Sequence, residues 1–128
     1  MIRNANEKTN HDSRPDPSTY RNLQYLSVEL SGHSACSQTL ELSYNDFGIS
    51  QVASLLGEEE LKNDFLKRSK FYKNVWNPKT KFFEPKYKNN TFKKISVKER
   101  TNIFSNNYVE GDAWHYRFYA PHDPSGLI

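Results

Sequence analysis

The sequence predicts a mainly helical fold, and three features carry that expectation. In residues 37–57, Leu42, Ile49, Val52, Ala53 and Leu56 fall on one helical stripe and Leu40, Tyr44 and Phe47 on a second. A segment apolar on two sides is an inner helix with neighbours on both flanks. In residues 58–76 a single stripe of Leu61, Phe65, Tyr72 and Trp76, filled in by Leu66 and Ser69, is opposed by Lys62, Lys67, Lys70 and Lys73. This is an outer helix with one buried side. Gly57 stands between the two as a natural stop, and so tight a joint makes a helix pair, the repeating unit of helical toroids.

Residues 1–17 are polar and rich in breakers, among them Asn4, Asn6, Asn10, Asp12, Pro15, Asp16 and Pro17. They have no helix or strand period, so a disordered segment is expected, with the folded part in 18–128. In 20–30 the apolar positions Leu23, Tyr25, Leu26, Val28 and Leu30 are spaced too loosely to choose between a short strand and a frayed helix. Glu58, Glu59 and Glu60 favour the positive end of the second helix dipole, and Asn77-Pro78 ends that helix. Residues 77–80 read as a turn, 82–85 as an extended piece and 88–91 as a second turn into Phe92, a short hairpin-like β excursion around 80–94. Residues 95–107 are a connector whose Ile103 and Phe104 are expected to tuck under the next stretch.

That stretch, 108–123, is where function is expected to centre. It holds Glu110, Asp112 and Asp123, the imidazoles of His115 and His122, and the rings of Tyr108, Trp114, Tyr116, Phe118 and Tyr119. Glu110-Gly111 puts an acid at a bend, and Asp112 is placed to cap a helix beginning near Ala113. Rings beside a held carboxylate suit a carbohydrate, because sugars stack on aromatic faces while carboxylates meet hydroxyls and glycosidic oxygens. The same residues also suit a helix packed into a core, and Tyr116, Phe118 and Tyr119 read that way.

Composition narrows the classes. At 128 residues with 35% hydrophobic and 26% charged residues the chain makes one domain at most, and a mean hydropathy of −0.91 is low for a self-sufficient core. The net charge of +3 is concentrated in Lys79, Lys81, Lys86, Lys88, Lys93, Lys94, Lys98 and Arg100, interleaved with Phe82, Phe83, Tyr87 and Phe92. Without a nucleic-acid-binding motif this reads as a solvated hairpin, and no nucleic-acid partner is expected. Cys36 is the only cysteine, which rules out an internal disulfide and a multi-cysteine zinc site. No apolar run is long enough to span a bilayer, and no secretory signal is visible. Asn89-Asn90-Thr91 is a glycosylation sequon, relevant only in a eukaryotic secretory pathway.

Three blocks in order carry a resemblance. Residues 110–116, continuing to Pro121-His122-Asp123 and Gly126-Leu127-Ile128, are similar to the E-G-N-A-W-Q-Y…P-H-D…G-L-I motif of the glycoside hydrolase family 92 alpha-mannosidases. Residues 37–47 resemble that family's S-K-T-L-E-Y-A-Y-D-D-W, and 65–80 its F-x-K-R-S-x-N-Y-K-N-x-F-D-P-E-T. Together they cover about residues 36–128. The resemblance implies part of an (α/α)6 toroid and a calcium-dependent, inverting exo-alpha-mannosidase acting on N-glycans or mannans. It implies Glu110 as the general acid, kept protonated by partial burial against Trp114, and Asp46, Trp114, His115, His122 and Asp123 as substrate-binding residues. Asp46, His122 and Asp123 also suit structural roles. The calcium ligands are not assignable here, and the general base belongs to a later segment of the family. The partners implied are a mannose-containing glycan and the rest of a parent polypeptide, and the location implied is secreted or periplasmic. The chain alone is therefore expected to be inactive. The rival reading is a noncatalytic carbohydrate-binding or structural helical remnant.

Four positions depart from the family pattern. Residues 31–34 do not reproduce its G-Y-V-P loop, Asn45 replaces an acid, His115 replaces a glutamine, and Lys81 replaces a glycine. A lysine at that last place needs a different turn or a backbone angle it disfavours.

Overall fold

A computed structural model describes Asn6, residues 17–31 and residues 34–127. The segment expected to be disordered lies outside the described residues apart from Asn6 and Pro17. Helix α1 runs Pro17–Leu23 and α2 Val28–Ser31. Between them Gln24 turns left-handed at φ 63° and Ser27 bridges in parallel to Lys86. The undecided stretch is thus two short helices about one sharp corner. Thr39 Oγ1 secures that corner by accepting from the buried Leu26 N–H at 3.0 Å.

The expected helix pair is present as α3, Ala35–Leu55, and α4, Glu59–Arg68. Gly57 stops α3 at φ 74°, the Gly57 and Glu58 N–H groups donating back to Ser54 and Ala53 carbonyls. A glycine adopts this left-handed cap without a Cβ penalty. The buried face of α3 differs from the stripes read in the sequence. Ser43 and Ser50 are buried beside Leu42, Ile49 and Ala53, whereas Tyr44, Val52 and Leu56 are exposed. The serines are admitted because each hydroxyl folds back onto its own helix, Ser43 to the Thr39 carbonyl and Ser50 to that of Phe47. Neither of these two hydroxyls is then left unmet in the core.

The second helix is shorter than expected. It ends at Arg68 rather than running to Asn77, and a 3-10 turn, Phe71–Val75, follows. Ser69 Oγ donates to the Leu66 carbonyl at 2.7 Å, and the tighter turn brings Phe71, Tyr72 and Val75 inward together. Phe71 meets the edge of Tyr20 at 5.4 Å, and Tyr72 that of Phe83 at 6.0 Å.

The β excursion is a minimal hairpin. β1, Trp76–Asn77, pairs antiparallel with β2, Phe82–Phe83, in the register Trp76 to Phe83 and Asn77 to Phe82. Lys81 closes its turn at φ 62°, the angle foreseen from the missing glycine. Replacing this exposed lysine with glycine is expected to stabilise the chain by about 0.5–1 kcal/mol, since left-handed backbone costs a residue with Cβ about 1–2 kcal/mol and the freer unfolded chain returns part of it. Urea unfolding measures this, and an unchanged or lower midpoint would refute it.

Beyond the hairpin a second turn leads into an isolated antiparallel bridge between Lys86 and Phe92. The basic stretch is not uniformly solvated. Lys86 is buried between the rings of Tyr25 and Phe92, and burial lowers its pKa. Arg100 grips the buried Glu84 carboxylate through Nε at 3.0 Å and Nη2 at 2.7 Å, while Asn77 Nδ2 donates to its other oxygen at 2.6 Å. Arg100 ends α5, Val97–Arg100, which Ser96 and Glu99 start with a reciprocal capping box. Ile103 and Phe104 do not tuck under the next stretch. They are 49% and 85% exposed, while Tyr108, buried and donating to the Phe83 carbonyl at 2.7 Å, ties the chain down there instead. Two short helices follow, α6, Ala113–Tyr116, and α7, Pro124–Leu127.

No helix among the described residues is long and apolar enough to cross a membrane.

Candidate functional site

The site is built around a corner whose two sides are both fixed. Tyr108 stacks on Tyr116 with ring centroids 5.6 Å apart and planes 16° from parallel. Next, Val109 N–H donates to Ser37 Oγ on α3 at 3.0 Å, and Tyr116 O–H donates to the Val109 carbonyl at 2.7 Å. Glu110 then turns left-handed at φ 49°. Gly111 passes so close beneath α6 that a Cβ there would sit 3.2 Å from Tyr116 Cε2. Asp112 caps α6 as expected, accepting from Trp114 N–H at 2.9 Å and His115 N–H at 3.1 Å. Burial works to raise the Asp112 pKa, but these bonds and the imidazole of His115, whose Nδ1 lies 2.8 Å away, hold it below the usual carboxylate value.

Glu110 itself is exposed. The burial against Trp114 expected to keep it protonated is not provided by the described residues, because the chain turns at Glu110 before α6 begins. Trp114 is 53% exposed, its ring edge-on to Phe82 at 4.9 Å with the Arg117 guanidinium 5.1 Å from its centroid. Roughly half of its surface is therefore open beside the corner. His115 is also exposed. Tyr116 and Tyr119 pack against the main core as expected, but Phe118 does not and is 74% exposed.

Sequence reasoning passed over two neighbours of the corner. Ser37 holds Val109, and Glu41, one turn further along α3, shares its side of the helix. Burial raises the Tyr116 phenol, and the charges of Glu41 and Glu110 push in the same direction. Burial and a hydrogen bond to Glu41 push Tyr119 up to about 12. The signal available in the sequence was the i, i+4 spacing of Ser37 and Glu41 at the start of a long helix.

The other site candidates are each bonded into the fold. Asp46 is fully buried within α3, 3.3 Å from Arg68 Nε and 3.4 Å from Nη2. His122 lies half-buried among the rings of Tyr44, Phe47 and Tyr72, its Nε2 2.8 Å from the Ser69 carbonyl. Asp123 accepts from Tyr72 O–H at 2.7 Å and pairs with Lys70 at 2.8 Å. The Lys70 bond holds its pKa at about 2 against the opposing effect of burial. Among the described residues no three His, Cys, Asp or Glu side chains converge as a metal site would require.

Burial lowers the His122 pKa from 6.5; Lys70 adds to this, while the Ser69 carbonyl and Asp123 oppose it. The unfolded chain binds more protons than the folded one as pH falls below 6.5, so acid weakens the fold. His122's contribution is complete above 6.5 and declines as pH falls through its lower folded value. Asp123's contribution is complete above 3.8 and declines as pH falls toward about 2. The melting temperature is accordingly expected to drop between about pH 7 and 5, and His122→Gln to flatten that step. A profile unchanged by the substitution would refute this assignment.

The whole chain, residues 1–128, matches the glycosyl hydrolase family 92 catalytic domain. Among solved structures, a family GH92 inverting mannosidase from Bacteroides thetaiotaomicron superposes with a TM-score of 0.85 at 23% identity, covering 99% of this chain and 17% of that one. A family GH92 alpha-mannosidase from the same organism gives 0.80 at 26% identity, over 94% of this chain and 15% of that one. In complex with mannoimidazole it gives 0.82 at 25%, over 94% and 16%. No curated protein sequence matches the chain.

Proposed function

Starting from the fact that this chain belongs to glycosyl hydrolase family 92, we propose that it supplies the proton-donating segment of an inverting exo-alpha-mannosidase acting on mannose-containing glycans such as N-glycans or mannans. The observation that carries this reading is the Glu110 corner, an exposed carboxylate at φ 49° between the anchored Val109 and the helix-capping Asp112, with a half-open tryptophan in the first turn of α6. In this role Glu110 protonates the departing glycosidic oxygen. Trp114 offers its open surface to the apolar face of the sugar, and His115, next along α6, offers hydroxyl contacts. An inverting enzyme also needs a carboxylate about 6.5–9.5 Å away, on the other side of the sugar, to activate water. Asp112 is committed to capping α6. The base is therefore assigned to another part of the domain, in keeping with a chain that spans 15–17% of the solved relatives.

Calcium is the ion that the family resemblance implies; among the described residues no cluster of ligands converges.

The test is hydrolysis of an aryl alpha-mannoside followed by proton NMR. This chain alone is expected to leave the substrate intact. Joined to the rest of a family 92 domain, it is expected to release beta-mannose first. Alpha-mannose as the first product would overturn inversion, and no cleavage by the joined protein would overturn the hydrolase reading.

A further inference from the structure

We infer that Ser37 and Tyr116 are positioning residues for the proton donor, holding the N–H and the carbonyl of Val109, and so the two successive peptide planes that meet at its Cα, so that Glu110 leaves them at one fixed angle; the inference rests on Glu110 acting as the acid. Ser37 is fully buried, and its Oγ donates to the Ser34 carbonyl at 3.1 Å while accepting the Val109 N–H at 3.0 Å. Tyr116 closes the other side, its O–H 2.7 Å from the Val109 carbonyl. The tyrosine is in turn held flat against buried Tyr108. Beyond Glu110, Gly111 lies under the Tyr116 ring and Asp112 is bonded into α6. Of the two acids in 109–112, Asp112 is committed to the cap of α6 and Glu110 is exposed, on a backbone that is not free to swing.

This arrangement suits its geometry. A non-glycine residue at positive φ is costly and persists where its surroundings over-determine it. Here the over-determination is local on one side, from α6, and distant on the other, since Ser37 and Val109 are 72 residues apart. Losing either bond frees one of the two peptide planes flanking Val109, lets the backbone at Glu110 relax toward commoner angles and carries the carboxyl off the line to its acceptor oxygen. Proton transfer is sensitive to such displacement, an ångström costing about a hundredfold.

The experiment compares Ser37→Ala, Tyr116→Phe and Glu110→Gln in the joined domain on two substrates, methyl alpha-mannoside and 2,4-dinitrophenyl alpha-mannoside. The first needs its leaving oxygen protonated and the second does not. Both positioning variants are expected to lower kcat on the methyl glycoside about 10–100-fold, with KM and the dinitrophenyl rate nearly unchanged. Equal loss on both substrates would mark a merely structural role and overturn the proposal. A selective loss in Glu110→Gln with none in the other two would overturn it while sparing the acid assignment. No selective loss in Glu110→Gln would overturn the acid assignment itself. Amide exchange gives a reading free of activity: in this chain Ser37→Ala is expected to speed exchange of the Val109 N–H at least about tenfold. Unchanged exchange would show that the bond does not hold the corner.

Discussion

Glutamine in place of Glu110 is expected to lower kcat on alkyl mannosides by about 10²–10⁴-fold in the joined domain, the range a general acid contributes. The substitution keeps the shape and hydrogen-bonding capacity of the side chain and removes only its transferable proton. The loss should therefore appear in kcat and shrink as the leaving group improves, because a stabilised phenolate departs without protonation. KM should move little. A noncatalytic remnant predicts the opposite, activity indifferent to this residue. A full rate on the alkyl mannoside would exclude Glu110 as the acid, however well its corner is built.

Arg68→Met is expected to destabilise the chain by about 3–5 kcal/mol, the cost of leaving one member of a buried ion pair without the other. Arg68 is among the largest fully buried side chains. It spans from Asp46 on α3 to Asn6 Oδ1, 2.9 Å from its Nη1, and lies over the Phe65 ring at 4.2 Å. The variant leaves the Asp46 carboxylate fully buried without this guanidinium. Against a total of about 5–15 kcal/mol for an ordinary domain, the loss is large enough to read directly as a shift of the urea midpoint. Adding Asp46→Leu to Arg68→Met should recover much of it, because two apolar groups ask for no pairing. A single-variant loss below about 1 kcal/mol would mean that water reaches the pair.

Much of this architecture was legible in the chain. The α3–α4 pair, its Gly57 stop, the Asp112 cap and both turns of the β excursion came from residue type and near-neighbour spacing, and the strained Lys81 from the glycine usual at that place in the family it resembles. The Ser96-x-x-Glu99 box that starts α5 was equally legible and was passed over in favour of a connector. The errors share a cause. Reading α4 through to Asn77 followed an apolar period that a 3-10 turn also satisfies. Placing Phe118 inside, and Lys86 and Arg100 in water, followed residue character, whereas burial depends on what stands opposite. His122 and Asp123 were expected to line the site or to serve the fold; the structure binds one to Ser69 and the other to Lys70 and Tyr72.

By itself, the sequence determined the helical class, the pairing of two helices, the caps and turns and the acid at a bend, all of which depend on residues within a few positions of one another, and the order of three motif blocks pointed to the family. Tertiary structure alone decided which polar groups are buried and what holds the acid: Arg68 against Asp46, Arg100 against Glu84, and Ser37 against Val109. The physical reason is that a hydrogen bond between residues 16, 22 or 72 positions apart leaves no periodic trace in the chain. Whether a serine, an arginine or an aspartate is tolerated in the core is set by the partner that folding delivers to it.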